Sequence, residues 1–242
     1  MPLVIIPTYN ERENIVSLIK AIFSLSTNFH LLIVDDASPD GTAQIVKKLI
    51  STYPDRLHLI CREEKWGLGT AYVEGFKFAL KNGYDYILQM DADFSHDPKD
   101  LVRLYNTCKA ENYDLVIGSR YISGVNVVNW PIGRVLLSYF ASFFVRFITG
   151  LPIMDTTAGF KCYTKEVLET IDLDKIQFIG YGFQVEMLFL AWKYGFKLKE
   201  IPIVFTDRVR GVSKMSKSII SEAVFGIIKM KISSFFKKYH RR

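Results

Sequence analysis

Short apolar runs bounded by turn residues alternate, through the first half of the chain, with stretches whose apolar positions recur every three or four residues. Residues 3–6 are the first such run, and Pro7-Thr8-Tyr9-Asn10-Glu11 ends it. Asn10 followed by Glu13 has the spacing of a helix cap, and Ile15, Leu18, Ile19 and Ile22 carry a helical stripe onward. A second strand is predicted over 30–34, closed by Asp35-Asp36, with a helix after it through Ile45, Val46 and Leu49. A third covers 57–60. The Gly67-Leu68-Gly69-Thr70 stretch reads as flexible, ahead of a helix through Tyr72, Phe76 and Leu80. Strands at 84–90 and 115–118 flank a helix over 101–108.

That alternation implies an α/β fold with a mostly parallel sheet and helices on both faces. The strand ends at Pro7, Asp36, Asp91 and Gly118 then meet along one edge, where open α/β sheets form their ligand crevice. The second half is less regular. A helix over 134–149 has a broad apolar face that includes Phe140, Phe143 and Phe147. Residues 156–163 read as an edge strand, 183–194 as a helix carrying Glu186, and 196–206 as extended. An amphipathic helix over 218–239 ends the chain, so the expected division is one domain over 1–217 and a basic helix over 218–242. That helix either belongs to the domain or associates with a membrane.

Charge sharpens this picture. The net +6 lies in the last fourteen residues, where Lys229, Lys231, Lys237, Lys238, Arg241 and Arg242 have no acid among them; the body balances 25 basic against 25 acidic residues. A neutral body with an acidic crevice speaks against a nucleic-acid binder. Cys61, Cys108 and Cys162 are few, odd in number and widely spaced, as expected of reduced, buried thiols rather than a disulfide or zinc framework. No basic leader precedes the first strand, and no run reaches the roughly 20 apolar residues that a spanning helix needs. A protein that is soluble or lies on a membrane surface is expected.

The chemistry centres on Met90-Asp91-Ala92-Asp93-Phe94-Ser95-His96, where a buried strand runs into clustered acids. Two carboxylates one residue apart can hold a hard divalent cation, and an acidic turn that caps a helix has the same composition. Nucleotide-binding glycine fingerprints and Ser, His or Cys nucleophile motifs do not occur. What remains is a crevice with acids (Asp35, Asp36, Asp91, Asp93) and cations (Arg120, Arg208, Lys214) arriving from distant segments. Such a set suits a metal-bound nucleoside diphosphate.

Several blocks resemble inverting glycosyltransferases of family two with the GT-A fold. They are Pro7-Thr8-Tyr9-Asn10-Glu11, Val34-Asp35-Asp36-Ala37-Ser38-Pro39-Asp40-Gly41-Thr42, the acid cluster and Gly118-Ser119-Arg120-Tyr121. Thr157-Ala158-Gly159-Phe160-Lys161 and Asp207-Arg208-Val209-Arg210-Gly211-Val212-Ser213-Lys214 are similar to the dolichol- or polyprenol-phosphate mannosyltransferases within that group. The resemblance implies a Rossmann-like GT-A domain with amphipathic interfacial helices. It implies Pro7, Tyr9, Glu11, Val34 and Asp36 as contacts of the GDP-mannose guanosine, and Asp91, Ala92 and Asp93 as contacts of the diphosphate. Asp91 and Asp93 would hold Mg2+ or Mn2+. Arg120, Arg208 and Lys214 would bind phosphate, with Asp93, Arg120, Arg208 and Lys214 as the catalytic set. Arg120 and Arg134 would meet the acceptor phosphate, although Arg134 is equally readable as a surface charge at a helix start. Some family members carry Gln where this chain has Ser95, which leaves that position open.

The implied reaction moves mannose with inversion to a polyprenyl or dolichyl phosphate, with UDP-glucose as the rival donor and a nucleotide-binding, membrane-associated subunit as the non-enzymatic alternative. A lipid phosphate is mostly dianionic near neutral pH and needs little help from a base. His96 accordingly reads as a turn residue, and Glu186 as either crevice-facing or a buried, paired carboxylate. The Phe-rich helix and the basic end suit a peripheral enzyme on the cytoplasmic face of a membrane, held there directly or by a small membrane-anchoring subunit.

Overall fold

In the computed structural model the described residues are 1–180, 182–207 and 217–241, the side chains of the last stretch from 224 onward. The first half follows the expected alternation: β1 (Pro2–Thr8), α1 (Ile15–Phe23), β2 (His30–Asp35), α2 (Thr42–Ile50), β3 (Leu57–Cys61), α3 (Leu68–Lys81), β4 (Tyr86–Gln89), α4 (Asp100–Ala110) and β5 (Leu115–Ser119). Then come β6 (Val127–Val128), α5 (Ile132–Thr149), β7 (Lys161–Thr164), α6 (Lys165–Thr170), α7 (Gly182–Lys193), β8 (Leu198–Pro202), β9 (Phe205–Thr206) and α8 (Lys217–Ser234).

Seven strands form one sheet in the order β3-β2-β1-β4-β7-β5-β8, and β6 pairs with β9 beside it. All pairings in the large sheet are parallel except those of β7, which runs antiparallel between β4 and β5. The edge strand expected over 156–163 is therefore a central one. Its side chains explain the insertion: Cys162 and Tyr163 are fully buried, one on each face of the sheet. Alternate residues of β1 and β2 do likewise. Leu3, Ile5, Leu32 and Val34 join one apolar layer with α3, α6 and α7, and Val4, Ile6, Leu31 and Ile33 join another with α1, α2 and α4. Each such aliphatic side chain contributes roughly 1.5–3 kcal/mol of transfer free energy.

Four local expectations need correction. Asn10 does not cap α1; it turns the chain at φ 60°, and the Glu11 carbonyl accepts the first helical amides, from Asn14 at 3.0 Å and Ile15 at 2.9 Å. Residues 68–70 are helical. Gly69 is needed there because a side chain would sit 2.5 Å from the Phe178 carbonyl oxygen. Cys61 is exposed at the end of β3, and only Cys108 and Cys162 are buried. The final helix ends at Ser234, and the basic end folds back: Arg241 bonds Glu166 at 2.8 Å and Asp114 at 3.0 Å and lies over the Phe196 ring.

By length and composition α5 alone, among the described residues, is long and apolar enough to cross a membrane, which the sequence count did not anticipate. One side of it nevertheless packs on the protein. Ser142, Val145 and Thr149 are buried, α8 lies against it, and Lys231 donates to the Thr149 carbonyl at 2.9 Å. Phe140, Phe143 and Phe147 point outward, 57–78% exposed.

Candidate active site

The cleft at the carboxyl edge of the sheet has a volume of about 510 Å³. Turns after β1, β2 and β4 shape it, and each places a non-glycine residue at positive φ: Asn10 (60°), Ala37 (53°) and Phe94 (59°). Strain of this kind costs on the order of 1 kcal/mol or more and persists only where surrounding contacts enforce it.

Those contacts begin with Asp35. Its carboxylate accepts from Thr8 Oγ1 (2.7 Å), Ser38 Oγ (2.6 Å) and the Ser38 amide (2.9 Å), so it ties β1 to the turn after β2. It does not line the cleft; the neighbouring Asp36 does. Asp36 accepts from Arg62 Nη1 at 2.6 Å and from the Gly67 amide at 3.3 Å. Burial raises its carboxyl above the usual range despite the guanidinium beside it. Arg62 is itself buried and donates to Thr70 Oγ1 at 2.5 Å, which anchors the start of α3. Lys65, on the same loop, lies over the Tyr9 ring at 4.1 Å.

The central acids differ in setting. The Asp91 side chain is 37% exposed, whereas Asp93 is nearly buried and accepts from Ser95 Oγ at 2.6 Å and the Ser95 amide at 3.1 Å. Ser95 thus aims Asp93. His96 is buried against the Phe160 ring at 4.6 Å, and its Nδ1 accepts the Asp91 amide at 3.4 Å. Burial lowers its pKa to about 4, against the pull of Asp93, so the ring is neutral. It accepts from the acidic turn and is not in its protonated, acidic form at neutral pH.

The same cleft is lined by Arg120. Its Nε and Nη2 grip Asp155 at 2.7 and 2.6 Å, and Nη2 also donates to Thr157 Oγ1 at 2.8 Å. Burial works against the charged form, and Asp155 outweighs it, so the guanidinium stays above its ordinary pKa. Asp155 is fully buried, and Glu200 takes its backbone amide at 2.9 Å. At the mouth, Arg134 lies over Trp130 at 4.1 Å and donates to Asp207 at 2.7 Å; it is a cleft residue with a partner rather than a stray surface charge.

The cleft therefore gathers Pro7, Tyr9, Glu11, Asp36, Asp91, Ala92, Asp93, Arg120 and Arg134 of the candidate set. Val34 is not among them: its side chain is fully buried in the apolar layer under α3. Arg208 and Lys214 lie outside the described residues. Glu186 faces away, with its carboxylate accepting the Gln177 amide at 3.0 Å and the Phe178 amide at 3.0 Å, and burial raises its pKa. Sequence reasoning missed Arg62, Asp155 and Gln184. Nothing in their local sequence marked any of them.

The Asp91 and Asp93 carboxylates, one residue apart in the cleft, fit a hard cation whose remaining ligands come from phosphate oxygens. Among the described residues no group of three or more His, Cys, Asp or Glu forms a metal cage, so any ion would be shared with a bound ligand.

The family model for glycosyl transferase family 2 matches residues 3–172. The chain is 47% identical to the polyprenol monophosphomannose synthase of Mycolicibacterium smegmatis over 93% of its length and 84% of the relative's. It is 43% identical to the undecaprenyl-phosphate mannosyltransferase of Micrococcus luteus, over 93% and 91%. Among solved structures, glucosyl-3-phosphoglycerate synthase from Mycobacterium tuberculosis, in complex with Mn2+, UDP and phosphoglyceric acid, superposes with a TM-score of 0.69. That match has 18% identity and covers 96% of this chain and 78% of the other.

Proposed function

The chain belongs to glycosyl transferase family 2, with the GT-A fold, and on that premise we propose that it transfers mannose from GDP-mannose to a polyprenyl phosphate with inversion. The names of the two curated relatives support the mannosyl group and the lipid acceptor in kind. The observation that carries the reading is a juxtaposition. The same cleft is lined by acids (Asp91, Asp93) and by cations (Arg120, Arg134), and α5, which carries Arg134 near its start, leaves its aromatic face bare. A phosphate head with an apolar tail fits that arrangement, since Arg134, Leu137 and Ser138 of α5 line the cleft while Phe140 and Phe143 point outward.

In this reading Tyr9, Glu11 and Asp36 receive the guanosine. Asp91 and Asp93 would hold Mg2+ or Mn2+, which when bound neutralises the departing diphosphate. Arg120, fixed by Asp155, holds negative charge close to the sugar without reorganising. Arg134 receives the acceptor phosphate at the mouth. That phosphate is its own nucleophile, dianionic above a second pKa of about 6, so the transfer does not call on a general base. Arg208 and Lys214 keep the phosphate-binding role that the motif resemblance implies. The protein works at a membrane surface, with the outer face of α5 in the interface.

A turnover assay that pairs GDP-mannose or UDP-glucose with undecaprenyl or dolichyl phosphate tests this. Mannosyl transfer abolished by EDTA and restored by Mg2+ or Mn2+ is expected. Glucosyl transfer alone would overturn the donor assignment.

A further inference from the structure

Gln184, on α7, is 2% exposed and lines the cleft. Its side-chain oxygen is taken by Lys161 Nζ at 2.6 Å, and the same amine donates to the Gln184 backbone carbonyl at 3.0 Å. Lys161 is fully buried in the central strand β7, and burial drives its pKa well below the ordinary lysine value. Charged or neutral, the amine has hydrogens for both oxygens, so the orientation of the Gln184 amide is fixed with its NH2 turned away from Lys161. That NH2 is buried and has no hydrogen-bond partner among the described residues. A buried donor left unmade costs roughly 1–3 kcal/mol, so its retention calls for a reason.

The reason lies over Gly159. A side-chain carbon added there would be 3.7 Å from Gln184 Nε2 and 3.8 and 3.9 Å from the two Asp91 carboxylate oxygens, with nothing nearer. The missing side chain leaves a small space bordered by one neutral donor and one acceptor. A ligand hydroxyl suits it, because it can accept from the amide while donating to the carboxylate. An ionised phosphate oxygen could accept from the amide but has no hydrogen to give the carboxylate.

We infer that Gln184, Gly159 and Asp91 form a hydroxyl-reading subsite for the hexose of the sugar nucleotide, in which Gln184 determines sugar specificity. Lys161 is a positioning residue that acts through Gln184. The inference rests on the glycosyltransferase reading above, and it leaves open which hexose is transferred.

Two variants test it, each assayed with whichever sugar nucleotide the wild-type protein turns over. Gln184→Glu keeps an oxygen toward Lys161 and replaces the donor with an acceptor. Gly159→Ala fills the space through contacts of ordinary van der Waals length, and Gly159 has no positive φ, so the fold should tolerate it. Both are expected to lower kcat/KM for the sugar nucleotide roughly ten- to a hundredfold, while the affinity for the free nucleoside diphosphate, which carries ribose but no hexose, changes less than about twofold. In a panel of monodeoxy sugar nucleotides, one analogue should be used equally by the wild type and Gln184→Glu. Equal loss of diphosphate and sugar-nucleotide affinity would overturn the inference by assigning the contact to the ribose or to structure alone. A Gly159→Ala enzyme with wild-type turnover would overturn it as well. Failure of mannose transfer with success of another hexose would defeat the donor proposal and leave this subsite standing or falling on its own result.

Discussion

Arg120 and Asp155 face each other across two parallel hydrogen bonds, 2.7 and 2.6 Å long, with the carboxylate wholly buried. The pair fixes both the charge and the direction of the guanidinium, because a fork-to-fork contact has only one planar arrangement. Lysine cannot reproduce it. Arg120→Lys is therefore expected to fold and to lose on the order of a hundredfold in kcat. Asp155→Ala strands a buried cation and should cost about 3–5 kcal/mol in urea unfolding. An Arg120→Lys enzyme with near wild-type kcat would remove Arg120 from the chemistry.

Ser95 holds Asp93 by two hydrogen bonds where some relatives of the resembled family carry glutamine. If the serine aims the carboxylate, Ser95→Ala, which removes the hydroxyl bond and keeps the amide one, should leave the fold intact and raise the Mn2+ concentration needed for half-maximal turnover roughly tenfold, about the worth of one aligned hydrogen bond. Asp93→Asn should abolish metal-dependent turnover. Titration of each variant with Mn2+ reads both effects, and an unchanged metal requirement in Ser95→Ala would deny the aiming role.

His30 on β2 and His58 on β3 share the Tyr84 hydroxyl, at 3.0 and 3.1 Å. Burial lowers both pKa values below 6.5, and for His30 the neighbouring His58, Arg56 and the N-terminus lower it further, opposed by Asp55. The unfolded chain then binds more protons than the folded one below pH 6.5, so this contribution is present above that value and is lost as the pH falls through the folded pKa values. The urea midpoint should drop between pH 7 and pH 5, and the drop should shrink in the His30→Gln/His58→Gln protein. An identical pH profile in that double variant would exclude the pair as its source.

The bare face of α5 offers a membrane test that spares the fold. Truncation inside α8 would not, because Lys231 and Arg241 are bonded to the body of the protein. Replacing Phe140, Phe143 and Phe147 with serine should weaken sedimentation with anionic vesicles at least tenfold, since each exposed ring buries substantial apolar area in an interface. Binding of GDP-mannose should stay within about twofold, as none of the three lines the cleft. Vesicle binding that survives the substitution would move the membrane contact elsewhere.

The sequence by itself determined the alternating elements of the first half, the polar strand ends and the Asp91/Asp93 pair. Each depends on periodicity or on neighbours a few residues apart, and short-range sterics and burial enforce those directly. Tertiary structure alone decided the rest. Asp35 and Asp36 are adjacent and chemically identical, yet one braces a turn and the other faces the cleft, because successive side chains leave a strand on opposite sides. Residues 161–164 became a central antiparallel strand because β4 and β5 were both available to pair with it, a fact absent from the segment itself. Arg62, Asp155, Lys161 and Gln184 look ordinary in the chain. Their roles arise from partners 23 to 35 residues away, brought into a dry interior where an ion pair or an unmet amide carries far more free energy than it would in water.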